Sequence, residues 1–298
     1  QPAAVMSDHS KCKALLATIR TPNIPSVACN VLTGILLASI AAPIHIPNAI
    51  TAITSGILLY LAGNLLNDWH DRDWDALHRP ERALPKNIFK PSSYLTLAIA
   101  CCLAALASFA AHPRSLAIAA NILGLILIYT KSHKSSAWAI IPMGLCRALL
   151  PVLGYFVCSH QAVTPNLILI SAALLIHTCE LSLVARSESK PSRLFLFAYP
   201  LVVATACLAA HINNSSDWIK LWPAALPYLL WTFLALILLR RSAFTGISML
   251  LAGIPLVDLT FLIPFAMGPS PSLPWFALCA PPVAFILGKS LQKIVPAT

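Results

Sequence analysis

The chain has 298 residues, of which 58% are hydrophobic and only 10% charged, and it carries a formal net charge of +10. A water-soluble domain carries roughly 25% charged residues, so this composition excludes an ordinary soluble enzyme. It also disfavours a nucleic-acid-binding module, because the positive charge has no soluble domain to sit on.

Taken in chain order, residues 1–25 read as a cytoplasmic N-terminal segment, with residues 1–5 ahead of Met6 an extension that is not native. The first twenty residues are polar and contain no apolar core of the kind a cleavable signal needs. Apolar runs then recur at 26–44, 47–66, 93–111, 115–130, 138–158, 165–184, 194–211, 220–239, 246–266 and 273–288, ten in all. A helix of about 20 apolar residues crosses the ~30 Å hydrocarbon layer. The fold class is therefore an all-α polytopic membrane protein. Pro255, Pro264 and the stretch PSPSLP interrupt the last two runs and make one of them a candidate re-entrant segment, so the count of transmembrane helices is nine to ten. Residues 26–288 form one transmembrane helical domain, followed by a tail at 289–298.

The basic residues set the orientation. Seventeen of the twenty Lys and Arg fall on one face, against Arg114 and Lys220 on the other and Arg147 inside a span. The positive-inside rule makes that face cytoplasmic. The nine cysteines show no paired metal-ligand spacing and read as small packing residues.

The second span runs into NDWHDRDWD at 67–75. Asn67, Asp71 and Asp75 are four apart, and in an α-helix a step of four residues turns only about 40°, so the three side chains form one stripe. Asn64 extends it by a turn, Asp73 points to the opposite side and Asp68 lies about a quarter turn away. Carboxylates one turn apart repel each other, strongly where water is scarce. A divalent cation removes that repulsion, and hard oxygen ligands suit Mg²⁺, which usually keeps waters and substrate phosphates in its shell. The stripe is thus a candidate Mg²⁺ platform beside a phosphorylated ligand. The alternative is a solvated interfacial loop held by ion pairs. HRPERALP, which follows, adds His78, Arg79 and Arg82 as candidate phosphate contacts.

Arg147 sits in mid-span, where a charge costs at least about 2.5 kcal/mol and normally faces a cavity or a partner. It is read as a substrate or phosphate contact, with a structural pair to Glu180 as the alternative. Asp258 is a similar case, and Asn23 and Asn30 are read as acceptor-side residues or as bridges between helices.

N-D-x-x-D-x-x-x-D followed by H-R-P-x-R-x-L-P resembles the first aspartate motif of the UbiA superfamily of intramembrane prenyltransferases. TIRTPNIPSVACNVLTG at 19–34 resembles that family's entry into its first helix, and YTKSHK at 129–134 occupies the loop after the fourth. The resemblance implies a helical bundle around a central cavity, with the motif in the cytosolic loop after the second helix. It implies Mg²⁺ bridging Asn67, Asp71 and Asp75 to the diphosphate of an isoprenoid donor, ionisation to an allylic cation, and capture by an unknown acceptor. Arg79, Arg82, Tyr129, Lys131, Arg147 and Arg186 are the implied diphosphate contacts. The family's second motif, D-x-x-x-D after the sixth helix, has no counterpart here: the region reads HTCELSLVARSESKPSR, with Glu180, Val184 and Glu188 on one stripe. Its AR-x-E ending resembles the EboC-like branch, and Glu188 is the candidate metal ligand there, with an interfacial ion pair as the alternative. Other readings are a UbiA-type terpene cyclase acting on the diphosphate alone, a sugar-phosphate transferase, and a non-catalytic isoprenoid-lipid binding protein. The expected surroundings are the lipid bilayer and an isoprenoid diphosphate, with no nucleic acid.

Overall fold

The computed structural model describes residues 8–187, 195–214, 223–267 and 272–296. Among them the secondary structure is helical throughout. The α-helices are α1 (Asp8–Thr18), α2 (Ile24–Ser39), α3 (Ile46–His78), α4 (Pro91–Ala107), α5 (Pro113–Ser132), α6 (Ile140–Cys158), α7 (Pro165–Ser187), α8 (Phe195–Asn214), α9 (Leu226–Leu239), α10 (Ala243–Ala252), α11 (Ile254–Met267) and α12 (Ala280–Leu291). The abundant prolines mark the starts. Proline stands in the first two positions of α2, α3, α4, α5, α9 and α12, where its missing N–H leaves no intrahelical bond unmade.

Among the described residues six helical stretches are long and apolar enough to cross a membrane: Thr21–Ser39, Ile46–His78, Pro113–Ser132, Ala137–Cys158, Pro165–Arg186 and Ala243–Met267. Four shorter apolar helices, Pro91–Ala107, Tyr199–Ile212, Pro223–Leu239 and Trp275–Leu291, fall in the remaining predicted runs. The run at 246–266 is two helices, because Gly253 ends α10 and Pro255 cannot donate into the preceding turn.

Two large apolar cores share the helices α2 and α6. One packs Val27, Val31 and Ile35 of α2 and Leu150, Leu153 and Val157 of α6 with α3, α4 and α5. The other joins Leu36 and Tyr155 to α7 and the helices that follow it. The shared wall is tight because two glycines let backbones touch. A Cβ on Gly34 would collide with the Pro151 carbonyl, and one on Gly154 with the Val31 carbonyl. Close backbone approach is how membrane helices gain packing energy where lipid is as apolar as the side chains.

The element that matters most for the site is α3, 33 residues without a break and therefore roughly 50 Å long. Its apolar part ends at Leu66, and the polar stretch from Asn67 to His78 continues the same helix past the hydrocarbon layer. The motif is helical, as its spacing predicted, and at its end Trp74 and His78 stack one turn apart, 4.1 Å between ring centroids, with His78 Nδ1 3.0 Å from the Trp74 carbonyl oxygen. Past Arg79 the chain turns back, held down by Leu84, which packs with Leu65, Tyr94 and Ala98.

Candidate active site at the polar end of α3

Asn64, Asn67, Asp71 and Asp75 are all buried, at 6%, 8%, 4% and 2% exposure, whereas the Asp73 side chain is 85% exposed. The stripe drawn from helical phasing is therefore the inward face of α3. Within it the Asn67 amide donates from Nδ2 to Asp71 Oδ2 at 3.4 Å. The other end of that amide, Oδ1, is buried with no hydrogen-bond partner.

The carboxylates are ringed by basic groups from distant parts of the sequence. Asp71 receives His133 Nε2 on Oδ2 at 3.0 Å and Lys134 Nζ on Oδ1 at 3.1 Å, with His70 Nδ1 3.4 Å from Oδ1. Burial pushes the Asp71 carboxyl up, but hydrogen bonding and charge from His133, with hydrogen bonds from Lys134 and His70, outweigh it and hold the group down to about 2. Asp75 accepts from Arg82 Nη1 at 2.8 Å, and the same nitrogen stands 3.4 Å from Asp68 Oδ1. Burial pushes the Asp68 carboxyl up, against the pull of Arg20 and Arg82.

Arg20 enters from the N-terminal segment. It donates from Nη1 to Asn64 Oδ1 at 3.0 Å and reaches Asp68 from Nη2 at 3.6 Å, while Asn64 Nδ2 returns a bond to the Ile19 carbonyl at 3.2 Å. Its backbone is left-handed, φ 47° and ψ 53°, a conformation that costs a non-glycine residue of order 1 kcal/mol or more. The Asn64 clamp and the Tyr60 hydroxyl, which donates to the Arg20 carbonyl at 3.3 Å, hold it in place.

The expected phosphate contacts separate into three groups. Arg82 reaches the stripe, and Tyr129 stacks on His133 with ring centroids 5.0 Å apart. Arg186 donates to the His133 carbonyl at 2.7 Å, which ties the end of α7 to the loop after α5. Arg79 and Lys131 are exposed and are not drawn onto the acids. Helix phasing explains Lys131: Tyr129 on α5 and His133, the residue that caps its C-terminal end, are one turn apart, and position 131 falls between them on the other side. Arg147 is buried below the site and donates to Asn30 Oδ1 and Ser26 Oγ, both at 3.1 Å. Asn30 in turn donates to Asp258 Oδ2 at 2.6 Å. Arg147 is therefore tied to α2 and, through Asn30, to α11, in place of the pair with Glu180. Both carboxylate oxygens of Glu180 lack a hydrogen-bond partner. Glu188 lies outside the described residues.

Arg20, Asp68, His133 and Lys134 take part in the site although the motif reading assigned them no role in it. The Tyr129–His133 spacing was the available signal for His133. Nothing local marks Arg20, whose partners lie 44 and 48 residues along the chain.

The residues present suit a divalent cation. The stripe offers only oxygen donors, one of them buried and unpartnered. Among the described residues no three His, Cys, Asp or Glu side chains gather into an all-protein metal cage.

A model of the UbiA prenyltransferase family matches residues 27–190. A digeranylgeranylglyceryl phosphate synthase of Methanothrix thermoacetophila is 35% identical over 68 residues, 23% of each chain. A protein of the same name from Natronomonas pharaonis is 31% identical over 126 residues, 42% of this chain and 44% of that one. The matched stretch thus spans less than half the length of either relative. The solved structure of a UbiA homologue from Archaeoglobus fulgidus bound to GPP and Mg²⁺ shares the fold, with a TM-score of 0.51 over 94% of this chain and 99% of that chain at 14% identity.

Proposed function

The chain belongs to the UbiA prenyltransferase family, a multi-pass membrane family, and from that premise we propose that it is a Mg²⁺-dependent intramembrane prenyltransferase acting on an isoprenoid diphosphate. The observation that carries this reading is the buried Asn67–Asp71–Asp75 stripe, with its unpartnered Asn67 Oδ1 and its ring of Arg82, His133 and Lys134. The names of the relatives support it too, one group being a synthase of a prenylated glyceryl phosphate and another a homologue bound to GPP and Mg²⁺.

Asn67, Asp71 and Asp75 would hold the cation, which when bound supplies positive charge to the departing diphosphate. Arg82, His133 and Lys134 already sit on the carboxylates and can turn to phosphate oxygens, where charge-assisted hydrogen bonds are strongest. Arg20, Tyr129 and Arg186 border the same space. The bond between the prenyl C1 and the diphosphate oxygen breaks with its electron pair going to the diphosphate. Stabilising that developing charge is the catalytic task. The acceptor then gives an electron pair to C1 and loses its proton. The apolar side chains of α2, α3 and α6 that pack together in one core would keep water from the allylic cation.

The positive-inside count supports a cytoplasmic location for the basic face that carries this site. Incubation of the purified chain with radiolabelled isoprenoid diphosphates of several lengths, with Mg²⁺ and with or without cell extract, tests the proposal. A prenylated product that needs both extract and Mg²⁺ is expected. A hydrocarbon or terpene alcohol formed without extract would move the assignment to a cyclase, and absence of any turnover with every donor would sink it.

A further inference from the structure

Asp68 is the acid of the motif that the stripe leaves out. It sits about 100° around α3 from Asn67, with its side chain 12% exposed. Two arginines that are far apart in sequence meet on one of its oxygens, Arg20 Nη2 at 3.6 Å and Arg82 Nη1 at 3.4 Å from Oδ1. The Arg82 nitrogen is the same one that lies 2.8 Å from Asp75 Oδ2. One guanidinium nitrogen, Arg82 Nη1, is therefore shared between an acid on the stripe and an acid beside it.

This sharing bears on how Asp75 becomes available. While Arg82 occupies Oδ2, a divalent cation has to compete with a guanidinium for the carboxylate. Removing Arg82 to nowhere would leave a largely buried charge without a counter-ion, which is strongly unfavourable. Asp68 removes that penalty, because it already accepts Arg82 from the position the guanidinium holds. The planar fork of arginine makes the exchange a small rotation within one pair of acids.

We propose that Asp68 is a positioning residue: it is the standing acceptor that keeps Arg82 paired when Asp75 is given over to a divalent cation, and its carboxylate also holds Arg20 at the mouth of the site. The proposal rests on the reading of Asn67, Asp71 and Asp75 as the cation site. It assigns Asp68 no contact with the cation.

The test is Mg²⁺ binding by the purified full chain in detergent, followed by calorimetric titration and by the shift in thermal unfolding, with no substrate present. Asp68→Asn, which keeps the shape and removes the charge, is expected to weaken Mg²⁺ binding about tenfold, the size of a typical coupling between neighbouring charged groups. Asp68→Glu restores most of that affinity. In an Arg82→Gln background, where no guanidinium competes for Asp75, Asp68→Asn makes no further difference. Wild-type affinity in Asp68→Asn overturns the proposal, and so does a tenfold loss that persists undiminished in the Arg82→Gln background. A wild-type chain that binds no Mg²⁺ overturns the cation site itself and this inference with it, an outcome distinct from equal binding by wild type and variant.

Discussion

His133 Nε2 lies 3.0 Å from Asp71 Oδ2, across 62 residues of sequence. That contact folds the loop after α5 over the polar end of α3 and makes the two halves of the site one object. Lys134 strengthens it from the other side, with Nζ 3.1 Å from Asp71 Oδ1 and 3.8 Å above the Trp74 ring. The acid at the centre of the stripe is thus met by the His133 ring and the Lys134 ammonium.

Replacing Asp71 or Asp75 by Asn is expected to lower prenyl transfer by about two to three orders of magnitude, the range found when a charge-stabilising group is removed from an active site. The variants should remain folded, because each carboxamide keeps the shape of the acid. Product formation from labelled donor, alongside thermal unfolding in detergent, checks both halves. Activity near wild type in Asp71→Asn would rule out the stripe as the reaction centre.

Lys134→Ala should raise the KM for the diphosphate donor about tenfold, from the loss of one charge-assisted hydrogen bond. It should also change the emission of Trp74, which loses the ammonium over its ring. Lys131→Ala should have a several-fold smaller effect, since Lys131 is exposed and Lys134 is the lysine that pairs with Asp71. Steady-state kinetics on both variants decides between the position nearest the motif and the position the fold selects.

Asn30→Leu should destabilise the chain by about 2–4 kcal/mol. The substitution strips Arg147 of one acceptor and Asp258 of the donor on its Oδ2 at once, inside the apolar bundle. Thermal or denaturant unfolding in a fixed detergent measures it. A shift below about 0.5 kcal/mol, the level of an ordinary surface change, would mean that water or another group already serves those atoms.

Gly34→Val and Gly154→Val should each cost at least about 3 kcal/mol or prevent folding, because the new side chain would occupy the space of a backbone carbonyl on the neighbouring helix. Gly124→Ala is the contrast. Nothing lies within 4 Å of the Cβ it would add, so the gain in helix propensity of roughly 0.5–1 kcal/mol should appear as higher stability. Equal effects at the three sites would contradict the α2–α6 crossing.

Much of the architecture and the shared face of the acidic stripe were legible in the residues. Length and apolarity dictate membrane helices wherever some 20 apolar residues follow one another, because no other structure satisfies the backbone in lipid. The spacing of Asn67, Asp71 and Asp75 fixes a common face, because a helix repeats every 3.6 residues whatever surrounds it. The same spacing did not separate Lys131, expected at the diphosphate, from His133 and Lys134, which reach Asp71.

What one-dimensional patterns could not supply was the identity of the partners. Arg20 meets Asn64 and Asp68, His133 meets Asp71, and Arg147 meets Asn30 in place of Glu180. Each of these choices depends on how the helices cross and on which loop lies over which helix end. A sequence states the charge and reach of a side chain. It does not state what stands within about 3 Å of it, since hydrogen bonds act over that distance alone. The local period of the chain therefore determined the acidic ridge, and the packing of α2 against α6, with the folding of residues 19–20 and 133–134 over α3, decided which cations answer it.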